Sequence, residues 1–229
     1  MFKKKIDIAS YSRLKVLLLL VLSLFQNKFL YFVIKNLRIS YSQVFQDLFV
    51  LYVLNFKKRG VFIEIGGGDG KNISNTYLLE KKYFWRGLIC EPDKRLHDKI
   101  KKYRRCKIVK NPIADICKSI NFYQSFLYGS SIKKIKNSKK IRLSGLCLNH
   151  LIEKNIKQSV DYISIDTEGN EYDIIKNFNF KKFEIKIFTI EHNFNKNRNK
   201  IYKLMCKNGY SRKYKLLSYM DDWYVSSKK

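Results

Sequence analysis

Short apolar runs recur along the chain, each closed by glycine, proline, asparagine or an acid. They read Gly-Val-Phe-Ile-Glu-Ile at 60–65, Leu-Ile-Cys-Glu within 87–91, Ile-Val within 107–110, Val-Asp-Tyr-Ile-Ser-Ile-Asp at 160–166 and Glu-Ile-Lys-Ile-Phe-Thr-Ile-Glu at 184–191. Runs this short and rich in Ile, Val and Phe predict buried strands. Between them lie stretches of helical spacing, near 74–82, from Pro92 to about Tyr103, at 149–153, at 172–177 and at 197–208. Pro92 suits a first helical turn, where its missing N–H costs nothing. Strands alternating with helices imply a mostly parallel sheet covered on both faces, an α/β fold. Residues 210–218 and 222–225 predict a closing hairpin that brings in an antiparallel strand.

Ahead of the first strand, Tyr41 to Leu54 predicts a helix that buries Phe45, Leu48, Phe49, Tyr52 and Val53, with Ser42 as its cap. Residues 1–38 form a separate basic and apolar segment, and 39–229 the main domain. The run from Val16 to Phe25 is too short for the ~20 residues that cross a bilayer, and Gln26-Asn27-Lys28 interrupts it. Three readings stand: a helix packed on the domain, a helix lying on anionic lipid through residues 1–34, and a signal anchor; the first two are favoured. Between 119 and 146 the alternation breaks. Ile120-Asn-Phe-Tyr and Leu143 to Leu146 read as short strands, Tyr128-Gly-Ser-Ser as a turn, and lysines crowd 133–140. This stretch is expected to cover a ligand site, since loops beyond strand ends carry specificity.

The chemistry concentrates after the first strand, in Glu64-Ile-Gly-Gly-Gly-Asp-Gly70. Gly66, Gly68 and Gly70 allow a tight turn and let a ligand approach bare backbone. Their spacing is G-x-G-x-G, not the G-x-G-x-x-G of dinucleotide sites. Glu91 ends the second strand about 20 residues on, where a carboxylate reaches ribose hydroxyls. A carboxylate there suits either NAD or S-adenosylmethionine; the glycine spacing and Glu64 inside the first strand favour the latter. Further on, Asp166, Glu168 and Glu171 follow the fourth strand, and Glu191 and His192 close the fifth. Ligands bind beyond the carboxyl ends of parallel strands, so these groups are expected to meet there. His192 suits a general base near neutral pH, with Asp166, Glu168 and Glu191 as alternatives or as groups that orient a substrate. Glu171 also suits the N-terminus of the helix it opens. The cluster offers oxygens and an imidazole to Mg²⁺ or Mn²⁺, but its spacing assigns no metal. His97 and His150, in lysine-rich helices, are expected at the surface.

The 47 basic against 19 acidic residues give a net charge of +28. That balance suits an anionic partner, nucleic acid or membrane. The lysines are spread along a chain equally rich in Asn, Ile, Tyr and Phe, and no RNA-binding signature accompanies them. The charge therefore reads mainly as composition. Five cysteines with no metal-type spacing argue against a disulfide framework and for a reducing, cytoplasmic setting.

Taken in order, Tyr41-Ser-Gln-x-x-Gln-Asp, Val61-Phe-Ile-Glu-Ile-Gly-Gly-Gly-Asp-Gly, Ser74-Asn-Thr-Tyr, Trp85-Arg-Gly-Leu-Ile-Cys-Glu-Pro, the stretch from Asp161 to Ile175 and Thr189-Ile-Glu-His-Asn resemble the FkbM-like methyltransferases. The chain departs from the family's more frequent Asp at Glu64, and from its Ala or Asn near Gly67 and Gly68. The resemblance implies a Rossmann-like class I methyltransferase fold and S-adenosylmethionine as methyl donor. It implies that Glu64, Gly66, Gly68, Asp69 and Gly70 hold the methionine end and ribose, that Glu91 takes the ribose hydroxyls, that Asn111 lies near the adenine, and that Gln43, with Ser42 and Asp47, closes over the cofactor. The expected reaction is O-methylation of a glycan, a lipid-linked sugar or another small hydroxylated molecule. An RNA methyltransferase and a non-enzymatic, membrane-associated binding module are the competing expectations.

Overall fold

The computed structural model describes residues 28–125 and 137–228. Its centre is a seven-stranded sheet built from β1 (Val61–Ile65), β2 (Arg86–Cys90), β3 (Lys107–Val109), β8 (Val160–Ile165), β9 (Ile185–Glu191), β10 (Tyr210–Lys213) and β11 (Asp221–Ser226). The strands run β10-β11-β9-β8-β1-β2-β3 across it. β1 pairs parallel to both β2 and β8, and β11 enters antiparallel to β9. This is a mostly parallel sheet with a terminal antiparallel hairpin, as the resemblance implies. The chain winds outward from β1 to β3, then returns to the other side of β1 as β8. That reversal opens a crevice beyond the carboxyl ends of β1 and β8.

All five residues of β1 are buried, as a strand covered on both faces requires. Val61, Ile63 and Ile65 face one apolar layer, which holds Leu148, Leu151 and Ile152 of the helix Leu148–Asn155. Phe62 faces the other, with Phe49, Leu78, Ile100 and Trp223. The second layer also receives the first helix, Lys28–Asn36, whose Phe29, Leu30 and Val33 are buried. Phe29 stacks on Tyr214 at 4.3 Å and meets Trp223 edge-on at 6.1 Å. The part of the N-terminal segment from Lys28 onward therefore packs on the domain. Val16 to Phe25 lies outside the described residues, and among those described no helix is long and apolar enough to cross a membrane.

Several boundaries move, each for a local reason. The helix expected from Tyr41 starts at Gln46. Phe45 takes a left-handed φ of 67°, and Asp47 folds the preceding turn by accepting from Ser40 Oγ and the Tyr41 and Ser42 amides. Phe45, not Ser42, holds the cap position and makes no side-chain cap bond; Ser42 Oγ instead accepts the Asp47 amide from five residues back, at 2.9 Å. Pro92 precedes its helix, which begins after Asp93 caps the turn Lys94–Leu96. The irregular stretch forms a hairpin of β5 (Ser119–Gln124) and β6 (Lys139–Ser144), and β4 (Ile113–Ala114) pairs with β7 (Leu146–Cys147). The turn expected at 128–131 lies outside the described residues.

The cysteine expectation needs correction. Cys117 and Cys147 are joined as a disulfide, with Cα atoms 5.5 Å apart, a span such a bond bridges readily. An odd count speaks against a framework but is silent about one pair. Cys90, Cys106 and Cys206 stay free.

Candidate active site

The turn after β1 is shaped by crowding below and openness above. Gly66 has φ +87°, and a Cβ there would sit 1.7 Å from the Asp166 carbonyl oxygen. Only glycine lets β1 and β8 end this close together. Gly68 has φ +53°, and a Cβ there would meet nothing within 4 Å, so the space beside its backbone is open. Asp69 accepts from the Lys71 and Asn72 amides and closes the turn. Gly70 donates its N–H to the Gly67 carbonyl.

Glu64 points away from this turn, into a buried network. Its carboxylate accepts from Ser74 Oγ, Thr76 Oγ1 and the Asn75 amide. Arg104, itself buried, reaches Glu64 at 3.4 Å, Glu80 at 2.6 Å and the Gly70 carbonyl at 3.1 Å. Protein donors thus occupy both Glu64 oxygens, and its observed part is to fix the segment from Gly70 to Thr76. Sequence reading did not single out Arg104.

Glu91 sits just beyond β2 and is buried. Its Oε2 accepts the Gly68 amide at 3.0 Å and its Oε1 the Asp93 amide at 2.8 Å. Burial pushes its pKa up to about 7, against the lowering pull of the two amides. His97, expected at the surface, is instead buried, and its Nε2–H donates to the Glu91 carbonyl at 2.8 Å. As the first residue of its helix it turns inward to brace the strand end, something the surrounding lysines hide. His150 is exposed, as expected.

A shallow, solvent-open crevice lies here. Ile65 and Gly66 line it from β1, Glu91 and Pro92 from β2, Pro112 and Ile113 from β4, Phe122 from the hairpin, and Asp166, Thr167 and Asn170 from the exit of β8. The hairpin thus borders the crevice. Among the described residues the lining contains two carboxylates and no Lys or Arg, in a chain of net charge +28. Asn111 does not line it; its amide turns outward to the Ser144 carbonyl at 3.0 Å. Gln43 is half-buried in the turn before Gln46, beside the Ser42–Ile73 bridge.

The second acid group assembles as expected, because β8 and β9 are parallel neighbours with Ile165 opposite Ile190. Oxygens of Asp166, Glu168 and Glu191 lie within 4.8 Å of one another. Burial and then neighbouring carboxylates hold Asp166 and Glu191 well above the usual carboxylate range. Like charges this close cannot all ionise, so the pair retains a proton near neutral pH. Asp221, which sequence reading missed, lies opposite Glu191 on β11 and binds Gln46 Nε2 at 2.6 Å. Burial, with Asp166 nearby, pushes it up to about 8. Glu171 folds back on its own loop, accepting from the Thr167 and Gly169 amides.

His192 does not reach the crevice. Its ring is buried, its Nδ1 accepts the Phe194 amide at 2.9 Å, and its Nε2 lies 3.7 Å from Asp222. The Phe194 bond assigns the ring proton to Nε2, toward Asp222. Burial lowers its pKa. Nε2 is buried without a hydrogen-bond partner and outside the crevice lining, so neither nitrogen is placed to take a proton from a substrate in the crevice.

Among solved structures the chain is similar to a precorrin-6y C5,15-methyltransferase from Geobacter metallireducens, with 12% identity, a TM-score of 0.44, and 73% of this chain and 71% of that one covered. It is similar to the METTL16 methyltransferase domain, with 14% identity, a TM-score of 0.49, and coverage of 79% and 66%. A human methyltransferase 10 domain containing protein matches with 12% identity, a TM-score of 0.48, and coverage of 81% and 83%. Likenesses this remote say nothing about substrate. The chain matches no curated protein. The family model described as the methyltransferase FkbM domain matches residues 64–212, a span that runs from the glycine turn through Glu91 and both acid-bearing strand ends, and the chain therefore belongs to the FkbM methyltransferase family.

Proposed function

We propose that the chain transfers a methyl group from S-adenosylmethionine to a hydroxyl of a glycan, a lipid-linked sugar or another small hydroxylated molecule. The observation that carries this reading is the crevice at the β1–β8 reversal, whose lining among the described residues holds Glu91 and Asp166 and no Lys or Arg. A dinucleotide brings a diphosphate, which calls for N–H groups and cations. S-adenosylmethionine brings a sulfonium and an ammonium, which two carboxylates suit. Bound there, it supplies an electrophilic methyl group.

Glu91 is placed to accept from ribose hydroxyls, exchanging its bond to the Gly68 amide for them. Ile65, Pro112, Ile113 and Phe122 give an apolar slot for a purine ring. At the other end, the Asp166–Glu191 pair stands where an acceptor hydroxyl must lose its proton. Holding one shared proton, the pair keeps a carboxylate able to take another. His192, buried beside Asp222 and outside the crevice lining, has no part in that proton transfer.

The net charge of +28 favours RNA as an alternative acceptor. Against it, the acceptor end of the crevice gathers carboxylates, which repel a phosphodiester chain. The test has two arms. Calorimetry with S-adenosylmethionine and with NAD on the full chain should show binding of the first alone. Incubation with methyl-labelled cofactor and fractionated cell glycans, lipids and RNA should place base-stable label in a glycan or lipid fraction. Absence of S-adenosylmethionine binding overturns the reading, and label confined to RNA replaces the acceptor.

A further inference from the structure

Asp166 and Glu191 stand side by side at the ends of neighbouring parallel strands. Glu168 reaches the same point because its backbone takes a left-handed φ of 59°, ahead of Gly169 at 110°. Three side chains, two from the loop leaving β8 and one from the end of β9, thus bring an oxygen each to one small volume, all three within 4.8 Å of one another. A hard divalent cation holds oxygens at about 2.0–2.6 Å, so oxygens on opposite sides of one ion are separated by no more than about 5 Å.

A second observation comes from Glu191 alone. It is 5% exposed, and its Oε2 accepts no hydrogen bond. A buried carboxylate oxygen without a partner is unfavourable. A cation supplies the partner that this oxygen lacks.

We propose that Asp166, Glu168 and Glu191 bind one divalent cation of the Mg²⁺ or Mn²⁺ class. An all-oxygen donor set selects such hard ions over the softer ones that prefer nitrogen and sulfur. Three protein ligands leave coordination positions open on the crevice side. If the methyltransferase reading holds, those positions take the acceptor's oxygens, which makes a pair of adjacent hydroxyls the natural substrate group. That last step rests on the reading above, whereas the cation site itself does not.

The test uses the full chain, stripped with a chelator, and Mn²⁺ alone as probe. Calorimetry and electron paramagnetic resonance should report one Mn²⁺ per chain, displaced by excess Mg²⁺. Glu168→Gln lies in an exposed loop and leaves the fold intact; it should weaken Mn²⁺ binding by about tenfold or more, a step of 1.4 kcal/mol. Glu191→Gln should do the same, with circular dichroism checking that it folds. Glu153→Gln, an exposed acid on the helix Leu148–Asn155, should bind as the parent does. No saturable Mn²⁺ binding by the parent, or unchanged binding in Glu168→Gln, overturns the proposal. S-adenosylmethionine calorimetry on the same stripped protein separates the two readings. Cofactor binding without Mn²⁺ binding removes the cation site and leaves the methyltransferase; the converse does the reverse.

Discussion

Arg104 is the side chain whose removal tests most directly how the glycine turn is held. Its guanidinium is buried and makes five contacts at once. It reaches Glu80, Glu64, the Gly70 carbonyl and Ser74 Oγ, and Nη2 donates to Thr76 Oγ1 at 2.7 Å. Arg104→Met keeps much of the stem volume but leaves Glu64, 2% exposed, without its cation. Breaking a buried pair from one side costs about 3–5 kcal/mol. Glu64 keeps three donors in Ser74, Asn75 and Thr76, which places the expected loss near the lower end, at about 3 kcal/mol. Against a total stability of about 5–15 kcal/mol this is a large share. Urea titration should show a lower midpoint with little change in slope, and melting should fall by about 6–12 °C for a chain of this size. Adding Glu64→Gln removes the stranded charge. The double variant should therefore be more stable than the sum of the single losses by about 1 kcal/mol or more. A loss under about 1 kcal/mol in Arg104→Met, or strictly additive losses, would refute the claim that this pair fixes the segment from Gly70 to Thr76.

Glu91→Ala should weaken S-adenosylmethionine binding about ten- to a hundredfold, the worth of charge-assisted hydrogen bonds at about 1.5–3 kcal/mol, as read by calorimetry; unchanged affinity would move the cofactor elsewhere. Asp221 holds its proton more tightly folded, at about 8, than unfolded, at 3.8. The stability this adds is full below 3.8 and is lost as pH rises through about 8. Asp221→Asn should therefore melt higher than the parent above pH 8 and lose that advantage in acid, and parallel melting curves across pH would contradict it. Among the free thiols, Cys206 is exposed, whereas burial pushes Cys106 up to about 12 and Cys90 well above its usual range. Mass spectrometry after brief iodoacetamide treatment should find Cys206 alkylated first, with Cys90 and Cys106 modified only in denaturant.

What the sequence made legible was local. The glycines at 66, 68 and 70, the acid at the end of β2, and the acids leaving β8 and β9 all declare themselves within a few residues of a strand end. Strand ends in a parallel sheet share one side, so the topology alone brings them together. What stayed hidden depends on partners far along the chain. Gln46 binds Asp221 across 175 positions, and Arg104 meets Glu64 across 40. An acid inside an apolar strand, as at Glu64, does announce that a donor is required. It does not say which of the 47 basic residues answers. His97 and Asn111 failed in the opposite sense. Their neighbours in sequence suggested surface and ligand, whereas a turn of the backbone sent one ring inward and one amide outward.

The charge illustrates why distribution outweighs total. Lysines spread along the whole sequence raise the net charge without forming one block, and solvent screens exposed ones beyond about 10 Å. The acids are few, yet Asp166, Glu168, Glu171, Glu191 and Asp221 converge at one end of the sheet, and Glu91 stands beside them. Gathering like charges in a partly buried place is unfavourable unless something positive arrives there. A sulfonium, an ammonium or a divalent cation meets that need, and a phosphate worsens it. The sign of the crevice therefore opposes the sign of the chain, and it is the crevice that a substrate meets.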